Sequence, residues 1–168
     1  MFCAEMLPFK SFIFNTIIAG QSWHWFHRSH VASEAFRTLK SRGKIVITHF
    51  DWIPLPNNVV EATEKLIKSF NPNWKMGSGT GIYPAWLTDL AIAKFVDIKS
   101  YSFDLPVYFS HENWCGRIRA SAGVGASLSQ DIVHEFDEAL RLLLIKQYPN
   151  EPLEVPHRSF AVIARKKK

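Results

Sequence analysis

The 168-residue sequence contains only two cysteines, Cys3 and Cys115, and they lie too far apart in the chain to form a metal-binding or redox motif. Isolated cysteines are typical of proteins from a reducing compartment, whereas small secreted domains carry a dense set of disulfides. The scarcity of cysteine therefore excludes a disulfide framework. It also predicts a cytoplasmic protein.

The chain also lacks a hydrophobic run long enough to cross a membrane. The most apolar stretch, SFIFNTIIAG at residues 11–20, is about half as long as a spanning helix needs to be. It does not fit a signal peptide either, because Glu5 precedes it, Asn15 interrupts it, and no small-x-small cleavage site follows. We expect a soluble protein with no membrane partner.

A large excess of positive charge is missing as well. The formal net charge is +5, and the terminal run Arg165–Lys168 supplies four of those charges. A basic terminal run is usually a solvated tail, so the sequence predicts no basic face and no nucleic-acid partner. Aromatic residues are plentiful at 14%, with six tryptophans, which indicates a protein that lines a site with rings. The length suits one domain with a real core.

Apolar periodicity indicates an α/β protein. The predicted strands are residues 14–19, which should be buried, and 44–48, 96–103 and 159–164. The predicted helices are 30–40, ended by Gly43, then 59–70 capped by Asn58, 84–95, a short helix capped by Ser110 that runs through Ile118, and one covering 132–143. The first strand, helix and second strand form a βαβ unit, which implies a parallel pair.

Three histidines at a spacing of three residues, His24, His27 and His30, are candidate metal ligands. On one helix they would span about 120° of arc, which is wide for three ligands of one ion. No cysteine or carboxylate lies at a matching position, so we predict no metal site. An aromatic core segment with surface histidines and the lip of a ligand pocket are the remaining alternatives. GSGTG at residues 77–81 resembles a phosphate-cradling loop, but no strand pattern precedes it, so we interpret it as a flexible loop.

The sequence does not decide the roles of several other polar residues. Arg117 and Arg119 are candidates for holding an anionic substrate group or for surface contacts, and the pair His157 and Arg158 has the same ambiguity. No Ser/His/Asp or Cys/His spacing indicates a covalent nucleophile, so no catalytic residue is assigned.

Three consecutive motifs carry a family resemblance: AEMLPF at 4–9, FNTIIAGQSWHWF at 14–26 and EAFRTLKSRGKIVI at 34–47. Together they resemble the middle of a class I S-adenosylmethionine-dependent methyltransferase of the small-molecule type. Residues 86–129 and 151–165 are similar to a bacterial subgroup of these enzymes. Ser41 and Arg42 stand where the family usually has proline and glycine.

The resemblance implies roles for ten residues. Ala4 and Glu5 would border the adenine of S-adenosylmethionine, and Gly20, Gln21 and Ser22 would complete the cofactor contacts. The substrate-binding residues would be Trp23, His24, Trp114, Arg117 and Arg119. Aromatic faces suit a sulfonium as they suit other cations, so the rings at residues 23–26 make sense without a metal.

One departure from the family shapes the expected fold. Family members begin with a strand, a G-x-G-x-G loop and a helix, and no such segment precedes Ala4. We therefore expect a truncated domain over residues 1–168, a partial Rossmann-like fold with strand order 4-5-7-6 in family numbering. Its last strand should be antiparallel and helices should cover both faces, with helical insertions at 51–95 and 104–150 around the substrate side.

Two functional hypotheses follow from the resemblance. The first is transfer of a methyl group to an unidentified small molecule, with weak or absent activity in this chain because the glycine loop is missing. The second is a non-catalytic remnant that binds or oligomerises through strand 14–19, whose edge would be exposed and apolar.

Overall fold

The computed structural model describes residues 3–167, so the last lysine of the terminal basic run lies outside the described residues. The strands are β1 Phe14–Gly20, β2 Leu39–Trp52, β3 Phe95–Phe109 and β4 Leu153–Lys166. The α-helices are α1 Arg28–Thr38, α2 Val59–Phe70, α3 Ala85–Ile92, α4 His111–Arg119 and α5 Gln130–Gln147, and a 3-10 turn covers Trp23–Trp25. Every predicted helix and strand is present, with boundaries that differ by several residues.

The four strands form one sheet in the order β1-β2-β4-β3, and β1 pairs with β2 in parallel. In family numbering this is the predicted order 4-5-7-6. Lys166, at the end of β4, donates to the Leu39 carbonyl at the start of β2 (2.9 Å), whereas the Ile53 N–H just after β2 donates to Pro156 near the start of β4 (2.9 Å). β4 therefore runs antiparallel to β2. The predicted α/β class and partial Rossmann-like fold are confirmed.

The junction between α1 and β2 differs from the prediction. The helix ends at Thr38 and Leu39 already has extended backbone, so residues 39–43 belong to the strand. The β1–β2 register shifts between the pairs Phe14↔Leu39 and Thr16↔Lys44, and the extra residues bulge there. Gly43 does not end a helix: a Cβ at this position would lie 2.9 Å from the Lys40 carbonyl oxygen. The close backbone approach at the bulge explains the glycine.

Strand β1 lies at the edge of the sheet, and β2 is its neighbour in the strand order. Only Ala19 is buried, Phe14 and Ile17 are half-buried, and Ile18 is 69% exposed. The prediction of a buried strand is therefore wrong for most of β1, because an edge strand of this sheet has one face and one side open. The exposed Ile18 side chain gives this edge strand an apolar surface.

The chain divides into two compact units. The first contains residues 1–50, 81–103 and 158–168, and the second contains 51–80 and 104–157. In the first unit, α1 and α3 pack on sheet residues that include Ile45, Ile47 and Val162, all fully buried. Fully burying side chains of this size stabilises the fold by about 1.5–3 kcal/mol each.

The second unit is built on α2, α4 and α5, which contact one another around Trp114, Phe136 and Leu140. Two sequence-predicted caps are confirmed here. The Asn58 side chain accepts a hydrogen bond from the Glu61 N–H at the start of α2, and Ser110 accepts one from Asn113 at the start of α4. Each cap satisfies a backbone donor that the helix leaves without an internal partner.

Within the described residues, none of the helices is long and apolar enough to cross a membrane.

Candidate functional site

The carboxyl ends of the parallel strands β1 and β2 lie side by side in the first unit, where Gly20 pairs with Thr48. In open α/β sheets, ligands bind outside the carboxyl ends of the strands. Beyond this last β1–β2 pair, residues 21–24 turn away from the sheet, whereas β2 continues through His49 and Phe50 to Trp52. This edge is therefore the candidate functional site.

Gln21 joins the two strand ends. Its N–H donates to the Thr48 carbonyl (3.0 Å), its side-chain amide donates to the Phe50 carbonyl (2.8 Å), and its side-chain oxygen accepts from the Phe50 N–H (2.6 Å). Its φ of 52° lies in the left-handed region, which is uncommon for a residue with a side chain. Gln21 thus extends the strand pairing by one step and turns the chain toward Ser22.

Four rings meet beside this turn. The His49 ring lies edge-on to His24, Tyr83 and Trp86, with centroid distances of 4.9, 4.8 and 5.7 Å. Tyr83 stacks on Trp86 at 4.3 Å with planes 8° apart. His24, His49 and Tyr83 are half-buried and Trp86 is buried. We call His24, His49, Tyr83 and Trp86 the ring cluster.

Sequence reasoning named only His24 of the ring cluster. The signal for His49 was present, because it follows the strand KIVIT, whose end must lie beside the end of FNTIIAG in a parallel pair. Tyr83 lies just before α3 and Trp86 lies in its first turn, far along the chain, and no local pattern marks them.

Trp23 belongs to the core of the first unit. It is buried, its indole N–H donates to Asp89 (3.2 Å), and Asp89 also pairs with the Arg28 guanidinium (3.2 Å). Trp23 therefore fixes the 3-10 turn that carries Ser22 and His24, and the indole itself faces the core.

Glu5 lies at the start of α1. Its carboxylate accepts a hydrogen bond from the His27 N–H (3.0 Å), and this bond lowers the pKa of Glu5. A negative charge at a helix N-terminus is also favoured by the helix dipole. Ala4 packs half-buried against the same core. The AEMLPF segment is thus held against α1, beside the turn that follows β1.

The three histidines of the metal hypothesis do not converge. His27 and His30 stack on each other at 4.0 Å, whereas His24 contacts His49. A search of the described residues for three or more His, Cys, Asp or Glu side chains able to hold one metal ion finds no such group.

The GSGTG segment lies between α2 and α3 with no strand before it, which confirms the interpretation as a loop. In the second unit, the Ser78 N–H donates to the buried Glu64 carboxylate (2.7 Å), which also accepts from the Trp52 indole (2.9 Å). This backbone donor is engaged inside the unit.

Trp114, Arg117 and Arg119 lie on α4 in the second unit. Trp114 is fully buried between the rings of Trp52 (5.5 Å) and Phe109 (5.3 Å). The exposed Arg117 places its guanidinium over the Trp52 ring at 5.0 Å. Of these three residues, Arg117 has the most accessible side chain.

Arg119 is one corner of a ring of four charges. Arg119 pairs with Asp137 and with Glu112 (3.1 Å), and Arg141 pairs with the same two carboxylates. Hydrogen bonds, from Arg141 first, lower the pKa of Glu112. Burial acts to raise the pKa of Asp137, but hydrogen bonds from Arg141 and Arg119 outweigh it and the pKa falls.

We expect this charge ring to make the stability of the folded chain depend on pH in the acid range. Because both pKa values are lower in the folded chain, the ring stabilises fully above the ordinary values of 4.5 and 3.8 and stabilises progressively less as the pH falls below them. Melting temperatures measured across this range should fall more steeply for the unmodified chain than for Glu112→Gln/Asp137→Asn. The control Glu135→Gln/Glu138→Gln removes two charges from α5 outside the ring. If the control flattens the profile equally, the ring is not the cause.

No protein-family model matches the sequence, and no curated protein matches it either. Solved structures do match over nearly the whole chain. One is a protein assigned as a methyltransferase of an antibiotic-biosynthesis pathway from Anabaena variabilis, with a TM-score of 0.58, 18% identity, and coverage of 94% of this chain and 70% of that one.

Two further structures, both assigned as methyltransferases, are similar. The protein from Anaeromyxobacter dehalogenans has a TM-score of 0.56 at 17% identity, with 98% of this chain and 69% of that chain covered. The protein from Bacillus halodurans has a TM-score of 0.50 at 18% identity, with 98% and 75% covered. The chain therefore has the fold of these methyltransferases, as its motifs predicted.

Proposed function

We propose that this chain is an S-adenosylmethionine-dependent methyltransferase of the small-molecule type, whose methyl-transfer region is the carboxyl edge of β1 and β2. The observation that carries the proposal is the ring cluster at this edge of a methyltransferase fold. The other residues of the edge are Gln21 and Ser22, with Trp23 fixing their turn.

The residues present fit one side of such a cofactor. When bound, S-adenosylmethionine supplies a methyl group on a positively charged sulfur, and the acceptor bonds to that carbon as the carbon–sulfur bond breaks with its electrons left on sulfur. The face of the Tyr83 ring suits a cation. Arg28, the nearest cation along the chain to the 3-10 turn, pairs with Asp89. The edge is therefore polar and aromatic.

This chain's own residues would contribute alignment and shielding. Methyl transfer gains most from a fixed line between acceptor, methyl carbon and sulfur, and from exclusion of water. Gln21 holds the strand ends together, and Trp23 anchors the turn that carries His24. We propose Ala4, Glu5 and Gly20 for the adenine side, and Arg117 as the more accessible candidate of the substrate-side set Trp114, Arg117 and Arg119.

The first test is a titration of S-adenosylhomocysteine into the 15N-labelled chain, followed by amide chemical shifts. We expect weak, saturable binding, with Kd about 1 mM or about 4 kcal/mol, because the described residues offer no glycine loop that follows a strand. Amide shift changes should cluster at Gly20–His24 and should be smaller in His49→Ala. Tyr101→Ala, which removes an exposed ring of the first unit outside this edge, is the control. The absence of saturable binding would contradict cofactor use by this chain.

A second candidate function is favoured by the open edge of β1. Ile18 is 69% exposed on this edge strand, and an unpaired apolar strand can pair with another strand. The chain would then act as a binding module that associates through β1. Light scattering across a concentration series tests this: self-association that Ile18→Lys abolishes would support it, and a monomer at all concentrations would reject self-pairing.

A further inference from the structure

The first unit gathers basic side chains from five separate parts of the sequence around two cavities. One cavity, about 420 Å³, is lined by Lys44, Asp97, Lys99, Tyr101, Ile163 and Arg165. The other, about 490 Å³, is lined by Phe12, Phe36, Arg37, Ser41, Lys94, Lys166 and Lys167. The consecutive residues Arg165, Lys166 and Lys167 at the end of β4 link the two.

The charge at these cavities exceeds that of the whole molecule. Their lining contains seven cations and one acid, a net charge of +6, whereas the full chain carries +5. The remainder of the chain is thus nearly neutral, with a net charge of −1. A concentration of one sign of charge attracts an oppositely charged partner. The sequence suggested no basic face because it shows only the terminal run as a cluster.

Two of these cations are already engaged. The Lys166 ammonium is buried, donates to the Phe36 and Leu39 carbonyls at the end of α1, and lies 4.1 Å from the Phe12 ring centroid. Arg37 pairs with Glu34 and donates to the Phe9 carbonyl. Five exposed cations remain for an external anion: Lys44, Lys94, Lys99, Arg165 and Lys167.

The first cavity lies on the sheet face opposite the core that contains α1 and α3. Its lining residues come from β2, β4 and β3, which are neighbours in that order. On β4 the buried residues Phe160, Val162 and Ala164 pack into the core with α1 and α3. Side chains alternate along a strand, so Ile163 and Arg165 point to the opposite face.

Exposed aromatic rings accompany the cations on this face. Tyr101 is 54% exposed and Phe103 is 63% exposed, and their separation of two residues on β3 places them on the same side as Lys99. Proteins that bind single-stranded nucleic acid combine exposed rings with a row of cations, because the bases stack on the rings and the phosphates lie along the cations.

We propose that this sheet face binds single-stranded nucleic acid, with phosphates at Lys44, Lys99 and Arg165 and bases stacked on Tyr101 and Phe103. Lys94 and Lys167 extend the track around the end of β4. The argument is independent of methyl transfer, since it uses none of the residues at the carboxyl edge of β1 and β2.

The test is fluorescence anisotropy of a fluorescein-labelled oligouridine against salt concentration. Each phosphate neutralised on a single strand contributes about −0.7 to the slope of log K against log salt, so contacts with three to five phosphates give a slope of about −2 to −3.5. Lys44→Ala/Lys99→Ala/Arg165→Ala should make the slope shallower by about 2. The matched control, Lys68→Ala/Lys75→Ala/Lys146→Ala in the second unit, should leave it unchanged.

A second variant isolates stacking and keeps the test decisive if the triple variant does not fold. Tyr101→Ala should weaken binding about 5- to 100-fold without changing the salt slope. Tyr108→Ala, an exposed tyrosine on the same strand in the second unit, is its control. Three results would overturn the proposal: a slope near zero for the unmodified chain, equal effects of the control variants, or equally strong competition by polyglutamate, which carries charge but no bases.

Discussion

Trp114→Ala should lower the free energy of unfolding by about 3–5 kcal/mol. The side chain is 0% exposed, packs against Trp52 and Phe109, and donates its indole N–H to the Thr63 hydroxyl (3.1 Å). Truncation leaves a cavity and removes this hydrogen bond. Urea unfolding followed by circular dichroism at 222 nm gives the free energy without relying on the removed fluorophore.

Trp114→Ala also tests whether Trp114 is a core residue or a substrate-binding residue. Trp25→Ala, at an indole that is 62% exposed, is the control and should change stability by less than about 0.5 kcal/mol. If Trp114 instead served only to contact substrate, its removal would leave stability near that of the control. A large loss of stability would assign Trp114 to the interior of the second unit and leave Arg117 as the better candidate on α4.

Gly125→Ala and Gly116→Ala should change stability in opposite directions. A Cβ at Gly125 would meet the Arg119 carbonyl oxygen at 2.2 Å, so backbone must move, whereas a Cβ at Gly116 meets its nearest atom, the Arg119 Nη2, at 3.6 Å. Forcing such a clash costs about 1–3 kcal/mol or more. Alanine within helix α4, in contrast, should stabilise by about 0.5–1 kcal/mol.

Thermal and urea unfolding of both variants provide the measurement, each with the other as its matched control. Both substitutions add the same methyl group near the end of α4. The two variants therefore differ in the space around that group. Equal destabilisation by both would show that the tight turn after α4 is not what requires Gly125. A neutral Gly125→Ala would contradict the close approach directly.

The motifs that carried the family resemblance predicted the fold because they encode strand and helix order together. The parallel strand pair was predicted from FNTIIAG, the apolar face of α1 and KIVIT, and that pair is present. The boundary of α1 was wrong because a bulge at residues 40–43 extends β2 backward, and register shifts depend on the neighbouring strand. Gly43 was predicted to end the helix, and only the pairing with β1 shows that it lies at the bulge.

The candidate site was predictable in part. The family resemblance indicated Gln21, Ser22 and His24, and the rule that ligands bind at the carboxyl ends of the strands of an open α/β sheet covers the same positions. His49 could have been found by applying the same rule to the next strand. Tyr83 and Trp86 could not, because their place beside His49 results from how α3 packs on the sheet. Glu5 took its place at the start of α1 for the same kind of reason.

Apolar periodicity and capping act over a few residues, so the sequence by itself determined the helices, the position of each strand and two helix caps. The family resemblance implied the strand order. Only the tertiary structure decided which side chains meet. It brought the ring cluster together from three segments, placed Trp114 inside a core, closed the charge ring around Arg119 and assembled a basic sheet face from scattered lysines and arginines. Those contacts depend on packing between segments that are distant in the sequence, and no local sequence pattern predicts such packing.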